Sequence, residues 1–188
     1  MEFINICETL KKNGITPIVI GAKYGWPAAG WFDYLNLRIN GLDFHLKLMN
    51  GTVKYNDPKV KKIFSEWKNL IDKGYFNSNS DSFDWDQVLP NLYRDSGMLL
   101  MGNFVINKIP EKVLGNIGFF RFPLYDNKIG YYEEAPMDIL IIPNNAKNKE
   151  IAEKFLEYVA QPEIQYLLNS NMGMISPNTN AKLGENRF

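Results

Sequence analysis

Residues 3–21, FINICETLKKNGITPIVIG, decide the fold class. Phe3, Cys7 and Leu10 fall on one helical face with Ile6 beside them, and Gly14 stands where a helix ends on a residue tolerant of positive φ. The TPIVIG that follows is β-branched and bounded by Pro17 and Gly21, which predicts a buried strand of about four residues. A helix leading into a short, wholly apolar strand is an α/β arrangement, since only a strand covered on both faces dispenses with polar alternation.

Outward from that stretch, the aromatic run YGWPAAGWFDY, residues 24–34, opens a helix predicted to reach Gly41. Asp57 as cap and Pro58 in the first turn start the clearest helix, with Val60, Ile63, Phe64, Trp67, Leu70 and Ile71 on its apolar face until Gly74. Lys59, Lys61, Lys62 and Lys68 lie opposite, and with neither glycine loop nor arginine fork they read as a solvated face, not a polyanion site. The polar connector NSNSDS, residues 77–82, leads to a short helix predicted from about Asp84 to Tyr93. GMLLMG (97–102), IGFFRFP (117–123) and MDILIIP (137–143) read as three further short strands. Two helices follow, one with Ile151, Ala152, Phe155, Leu156 and Val159 on a face, the other starting near Pro162 and carrying Ile164, Leu167 and Leu168.

The 188 residues are 45% hydrophobic, enough for a sizeable core and too apolar for a disordered chain. Twenty-one basic and twenty-one acidic side chains cancel, so no net field gathers phosphate backbones, and nucleic acid is not an expected partner. A single cysteine, Cys7, and a single histidine, His45, give no structural zinc set and no internal disulfide. No dinucleotide or phosphate-loop glycine motif occurs, so no cofactor is implied.

Two kinds of chemistry stay open on the residues alone. Asp84, Asp86, Glu133, Glu134 and Asp138 could include an acid and a base for glycoside cleavage, although Asp84 also reads as a helix cap and Glu133 and Glu134 as loop residues. His45, in LDFHLKLM, reads as a half-buried helix side chain rather than a catalytic base. Aromatic residues gather near loops and helix starts: Trp26, Trp31, Phe32, Tyr34, Trp85, Phe104, Tyr131 and Tyr132. Ring faces of this kind suit the C–H face of a pyranose, with amides and carboxylates taking its hydroxyls; core packing is the other use of each ring.

The segments FINICETLKKNGITPIVIG, GWPAAGWFDYLNLRINGLDF, DPKVKKIFSEWKNLIDKGYFN, GMLLMGNFV, IGFFRFP and NKEIAEKFLEYVAQPEIQYLLNSNMGMISP together resemble, in this order, the carbohydrate-binding extracellular solute-binding proteins of ABC importers, the maltose-binding-protein-like family. The resemblance implies an α/β, type II periplasmic-binding-protein-like fold of two lobes, and a longer protein of which this chain is a part. It places residues 1–134 mostly in the second lobe, 135–172 in the first, and 173–188 at the start of a return to the second. It implies a sugar or oligosaccharide held in the interlobe cleft with no covalent chemistry, a membrane permease as partner, and an extracytoplasmic location. The implied ligand residues are Trp26, Trp31, Asn103, Phe104, Met137, Asp138 and Trp85, with Asp33 as a further hydroxyl acceptor or a plain surface residue. An incomplete pair of lobes also implies exposed apolar surface and self-association. A glycosidase-like enzyme and a non-binding interaction domain are the alternatives.

Overall fold

The computed structural model describes residues 2–182; the last part of the 173–188 segment, residues 183–188, lies outside the described residues. Helix α1 (Glu2–Lys12) ends at Gly14 with positive φ, as the sequence leads one to expect, and feeds β1 (Thr16–Ile18). Then come α2 (Trp26–Met49), α3 (Pro58–Asp72), α4 (Leu89–Arg94) and β2 (Ser96–Met98). A 3-10 helix (Asn103–Lys108), α5 (Glu111–Leu114), α6 (Lys149–Val159) and α7 (Pro162–Met172) complete the described elements. Strands β1 and β2 pair in parallel, Thr16 with Ser96 and Ile18 with Met98. Asp57 caps α3 by accepting from the Lys59 N–H at 2.8 Å, which satisfies one of the free amides of its first turn.

The chain divides into two units, Met1–Met101 with Phe119–Glu134, and Gly102–Gly118 with Ala135–Phe188. The first holds the main core, in which Cys7 of α1, Ile18 and Ile20 around β1, Val60, Ile63 and Leu70 of α3, and Tyr75 pack on Trp31, Phe32, Leu35, Ile39, Phe44 and Leu48 of α2. The second carries the 3-10 helix and α5 to α7; Asn107 Nδ2 donates to the Asn171 carbonyl at 3.3 Å and so ties the 3-10 helix to α7.

Four expectations change. Helix α2 does not stop at Gly41. That residue takes φ 80° and ψ 173°, the helix kinks there, and it resumes because Phe44, His45 and Leu48 beyond the kink are buried. Helix α4 is shorter than predicted: Asp84–Leu89 is spent on successive i→i+3 turns, Gln87 N–H to the Asp84 carbonyl and Leu89 N–H to that of Asp86. On α3 the buried stripe is Val60, Ile63 and Leu70, whereas Phe64 and Ile71 are exposed. Residues 117–123 and 137–143 form no strand, and β1 and β2 make the only sheet among the described residues. A strand needs a neighbour for its N–H and C=O groups. These two apolar runs lack one, and much of their apolar surface stays exposed, Phe119 at 76% and Ile139 at 77%, while Phe122 packs on the core.

Candidate functional site

Val19 N–H still donates to the Met98 carbonyl of β2 at 2.9 Å, and beyond it the chain continues without a strand as partner. Asn77 substitutes for one: its Oδ1 accepts from Ile20 N–H at 2.8 Å and its Nδ2 donates to the Ile20 carbonyl at 3.1 Å. Ala22 N–H then donates to the Ser80 carbonyl at 2.6 Å and Lys23 N–H to that of Phe83 at 3.0 Å. The polar NSNSDS connector is thus pinned along the end of β1, and Gly21 permits it, because a methyl group there would overlap the Asp84 carbonyl. Trp85 follows directly, its N–H donating to Asp84 Oδ1 at 2.7 Å, while Asp84 N–H donates to Gln87 Oε1 at 2.8 Å.

This loop sets Trp85 against Trp26, the first residue of α2. The two indoles meet edge to face, centroids 6.2 Å apart at 63° between planes, and Trp26 remains 44% exposed. Two aromatic planes therefore form a corner at the C-terminal end of a parallel strand, the position where α/β sheets commonly take ligands.

Trp31 does not join them. It is 3% exposed and packed edge to face between Phe76 at 5.0 Å and Phe122 at 5.2 Å, a core residue with no ring face open to a ligand. Five residues, about 1.4 helical turns, separate Trp31 from Trp26, enough to rotate it from the mouth of the strand into the core. Its Nε1–H is buried with no hydrogen-bond partner in the structure.

The second unit places Asn103 and Phe104 at the start of its 3-10 helix. Asn103 Nδ2 donates to the Gly173 carbonyl at 2.9 Å, joining the helix start to the C-cap of α7. The Phe104 ring lies close over Gly102. Met137 and Asp138 are exposed on the irregular segment that follows Glu134.

Sequence reasoning missed a buried polar cluster on α2. Arg38 is fully buried, yet it donates through Nε to the Phe122 carbonyl at 3.1 Å, through Nη1 to the Tyr132 carbonyl at 2.6 Å, and through Nη2 to Glu133 Oε1 at 3.3 Å. The rings of Tyr34, Phe122 and Tyr131 surround the guanidinium. Tyr34 OH donates to Glu133 Oε2 at 3.2 Å, and burial followed by the Glu133 charge pushes that phenol up. His45 is not half-buried but buried, with Nε2 3.2 Å from Glu134 Oε1. Burial raises the Glu134 carboxyl, with His45 opposing and Asp33 reinforcing the shift; Asp33 is raised for the same first reason. Glu133 and Glu134, weighed as catalytic carboxylates, are thus each engaged with a base on α2. The available signal was Arg38 itself, a lone cation in the apolar run YLNLRING. No group of three or more His, Cys, Asp or Glu among the described residues could hold a metal.

The family model of the bacterial extracellular solute-binding proteins matches residues 2–166. The chain belongs to this family. An ABC transporter extracellular-binding protein of Pyrococcus horikoshii is 28% identical over 182 residues, 96% of this chain and 40% of that protein. A second from the same organism is 29% identical over 85% of this chain and 36% of its own length. Among solved structures, the bacterial solute receptor AcbH superposes with a TM-score of 0.81 at 33% identity, covering 94% of this chain and 47% of that one. A chitin oligosaccharide binding protein superposes at 0.73 with 22% identity, over 97% of this chain and 47% of its own, which bears on the fold alone. The chain spans less than half the length of these solute-binding proteins, and its fold is part of the type II periplasmic-binding-protein fold they share. No helix among the described residues is long and apolar enough to cross a membrane.

Proposed function

We propose that this chain is part of the extracytoplasmic receptor of an ABC importer, that it binds a sugar or short oligosaccharide without covalent chemistry, and that a membrane permease receives the loaded protein. The observation that carries the reading is the Trp26–Trp85 corner, two indole planes with Trp26 open to solvent, in a chain of the solute-binding family. Stacking on an uncharged ring is the chemistry such a corner serves, as a pyranose offers apolar C–H faces and no formal charge. The AcbH receptor, described as exclusive for β-D-galactopyranose, supports a carbohydrate as ligand class.

Phe104, Asn103, Met137 and Asp138 are the ligand residues proposed on the second unit. Residues 1–134 are proposed to belong mostly to the second lobe of the full-length receptor, 135–172 to the first, and 173–188 to the return. Trp31 drops out of the ligand set because its ring is enclosed.

Calorimetric titration of the full-length receptor with a panel of monosaccharides and oligosaccharides tests the proposal. Each stacking contact contributes on the order of 1 kcal/mol, so Trp26→Ala weakens binding of the preferred sugar about tenfold or less while the unfolding temperature stays nearly unchanged. Binding by no sugar in the panel, or release of new reducing ends from the oligosaccharides, refutes it.

A further inference from the structure

We propose that Asn77 is a positioning residue for the Trp26–Trp85 corner: it acts through Trp85 rather than on the ligand, and by standing in for one residue of a strand it fixes the loop that carries that ring. The inference rests on the reading of the corner as the sugar site. Alongside β1, Ile18 N–H donates to the Tyr75 carbonyl at 2.9 Å, and Ile18 bridges Phe76 in parallel. A ladder continued by one step would give Ile20 the main chain of Asn77 and Asn79 as its partners. The Asn77 side-chain amide occupies both places, accepting from Ile20 N–H at 2.8 Å and donating to the Ile20 carbonyl at 3.1 Å. Its Nδ2 also donates to Asn79 Oδ1 at 3.3 Å.

The partners dictate how that amide is oriented. A backbone N–H can only donate and a carbonyl can only accept, so Oδ1 must face Ile20 N–H and Nδ2 the Ile20 carbonyl. An ionised aspartate has no donor for the second place, and alanine fills neither. Ile20 is 4% exposed, so without Asn77 its peptide groups would lose their partners in a buried setting.

With Ile20 satisfied by a side chain, the main chain is free to leave the sheet at Asn77. Ala22 and Lys23 then take the Ser80 and Phe83 carbonyls, so an advance of three residues from Ile20 is matched by six in the connector. Such a stretch has no repeating register of its own, and Asn77 sets where it begins. Trp26 hangs from the same backbone, since Gly25 N–H closes a turn on the Ala22 carbonyl at 2.9 Å directly before it. Residues 20–23 thus carry both indoles, one on each arm. Downstream of Trp85, Val88 is fully buried, so loss of Asn77 slackens the connector without detaching it. The charged side chains of these stretches are engaged elsewhere. The Lys23 ammonium lies over the Tyr24 ring at 5.5 Å, Asp81 Oδ1 accepts from Ser82 Oγ at 3.3 Å, and Asp84 Oδ1 accepts from Trp85 N–H.

The two indoles, edge to face with centroids 6.2 Å apart, couple in far-ultraviolet circular dichroism, and subtracting the spectrum of Trp85→Phe isolates that couplet. The couplet needs no sugar, so it reports on Asn77 even where the sugar reading fails. In the full-length receptor, Asn77→Ala and, near neutral pH, Asn77→Asp are expected to lose more than half of it while remaining cooperatively folded. Asn77→Ser is the milder replacement if alanine does not fold. Asn77→Asp regains the couplet on acidification, with the wild type unchanged, because a protonated carboxyl again offers one donor and one acceptor; Asn77→Ala does not regain it. Affinity for the preferred sugar falls with the couplet by about tenfold or less, the limit set by one stacked ring. A couplet kept in full by the folded variants overturns the proposal. So does one that Asn77→Asp loses and acid does not restore. An unchanged affinity beside a lost couplet strikes the sugar reading of the corner and leaves the positioning role of Asn77 standing.

Discussion

Replacing Arg38 with methionine removes the one buried Lys or Arg among the described residues and tests whether that cation attaches segment 119–134 to α2. The side chain is fully buried and makes three hydrogen bonds. Glu133 is 43% exposed at its side chain and can return to water, so its loss adds little. The Phe122 and Tyr132 carbonyls lose a charged donor, a bond type worth about 1.5–3 kcal/mol each, part of which Tyr132 recovers by hydration because it lies at the surface. Methionine keeps much of the packing against Tyr34, Phe122 and Tyr131 but not the interaction of a cation with their faces. The expected loss is about 3 kcal/mol, in the range for breaking a buried pair from one side, or a fall in Tm of about 6–12 °C for a chain of this size. Urea unfolding followed by tryptophan fluorescence measures the loss, and hydrogen exchange shows whether it starts in residues 119–134. Arg38→Lys should recover less than half of it, since one ammonium cannot span three acceptors in a fork. A loss below about 1 kcal/mol, or full rescue by lysine, would refute the reasoning.

Three further outcomes follow from local geometry and charge. Gly21→Ala pushes a methyl group into the Asp84 carbonyl, so it should cost about 2 kcal/mol and raise hydrogen exchange across residues 77–87 first. Asp33 holds its proton more tightly folded than unfolded because it is partly buried; its contribution is present at low pH and lost as pH rises through and above the ordinary carboxylate range. Asp33→Asn should therefore flatten the decline in unfolding midpoint as pH rises above the ordinary carboxylate range, as measured by thermal melts. Burial raises the Cys7 thiol from 9.0 to about 11, so alkylation of the folded protein at mildly alkaline pH should run at least about a hundredfold slower than after unfolding, as followed by mass spectrometry.

Local signals sufficed wherever the rule that applies is itself local. The end of α1 at Gly14, the Asp57 and Pro58 start of α3, the start of α7 at Pro162 and the parallel strand after α1 all rest on residues within a few positions of one another. Trp26 and Trp31 read alike in the sequence, as aromatic rings near a helix start, and Trp26 is the one the structure leaves exposed. Whether an aromatic ring five positions further along a helix is open or enclosed depends on Phe76 and Phe122, which lie 45 and 91 residues away in the chain.

The sequence by itself determined that this is an α/β chain of the extracellular solute-binding family without a metal or phosphate motif, because helix period, capping residues and the order of its segments are written in neighbouring positions. Tertiary structure alone decided that α2 runs past Gly41 and kinks there, that IGFFRFP and MDILIIP stay outside any sheet, and that Arg38 and His45 hold Glu133 and Glu134. A strand exists only where another strand completes its hydrogen bonds, and a buried cation only where distant carbonyls converge on it. Both conditions depend on groups far apart in sequence that folding brings within about 3 Å of each other.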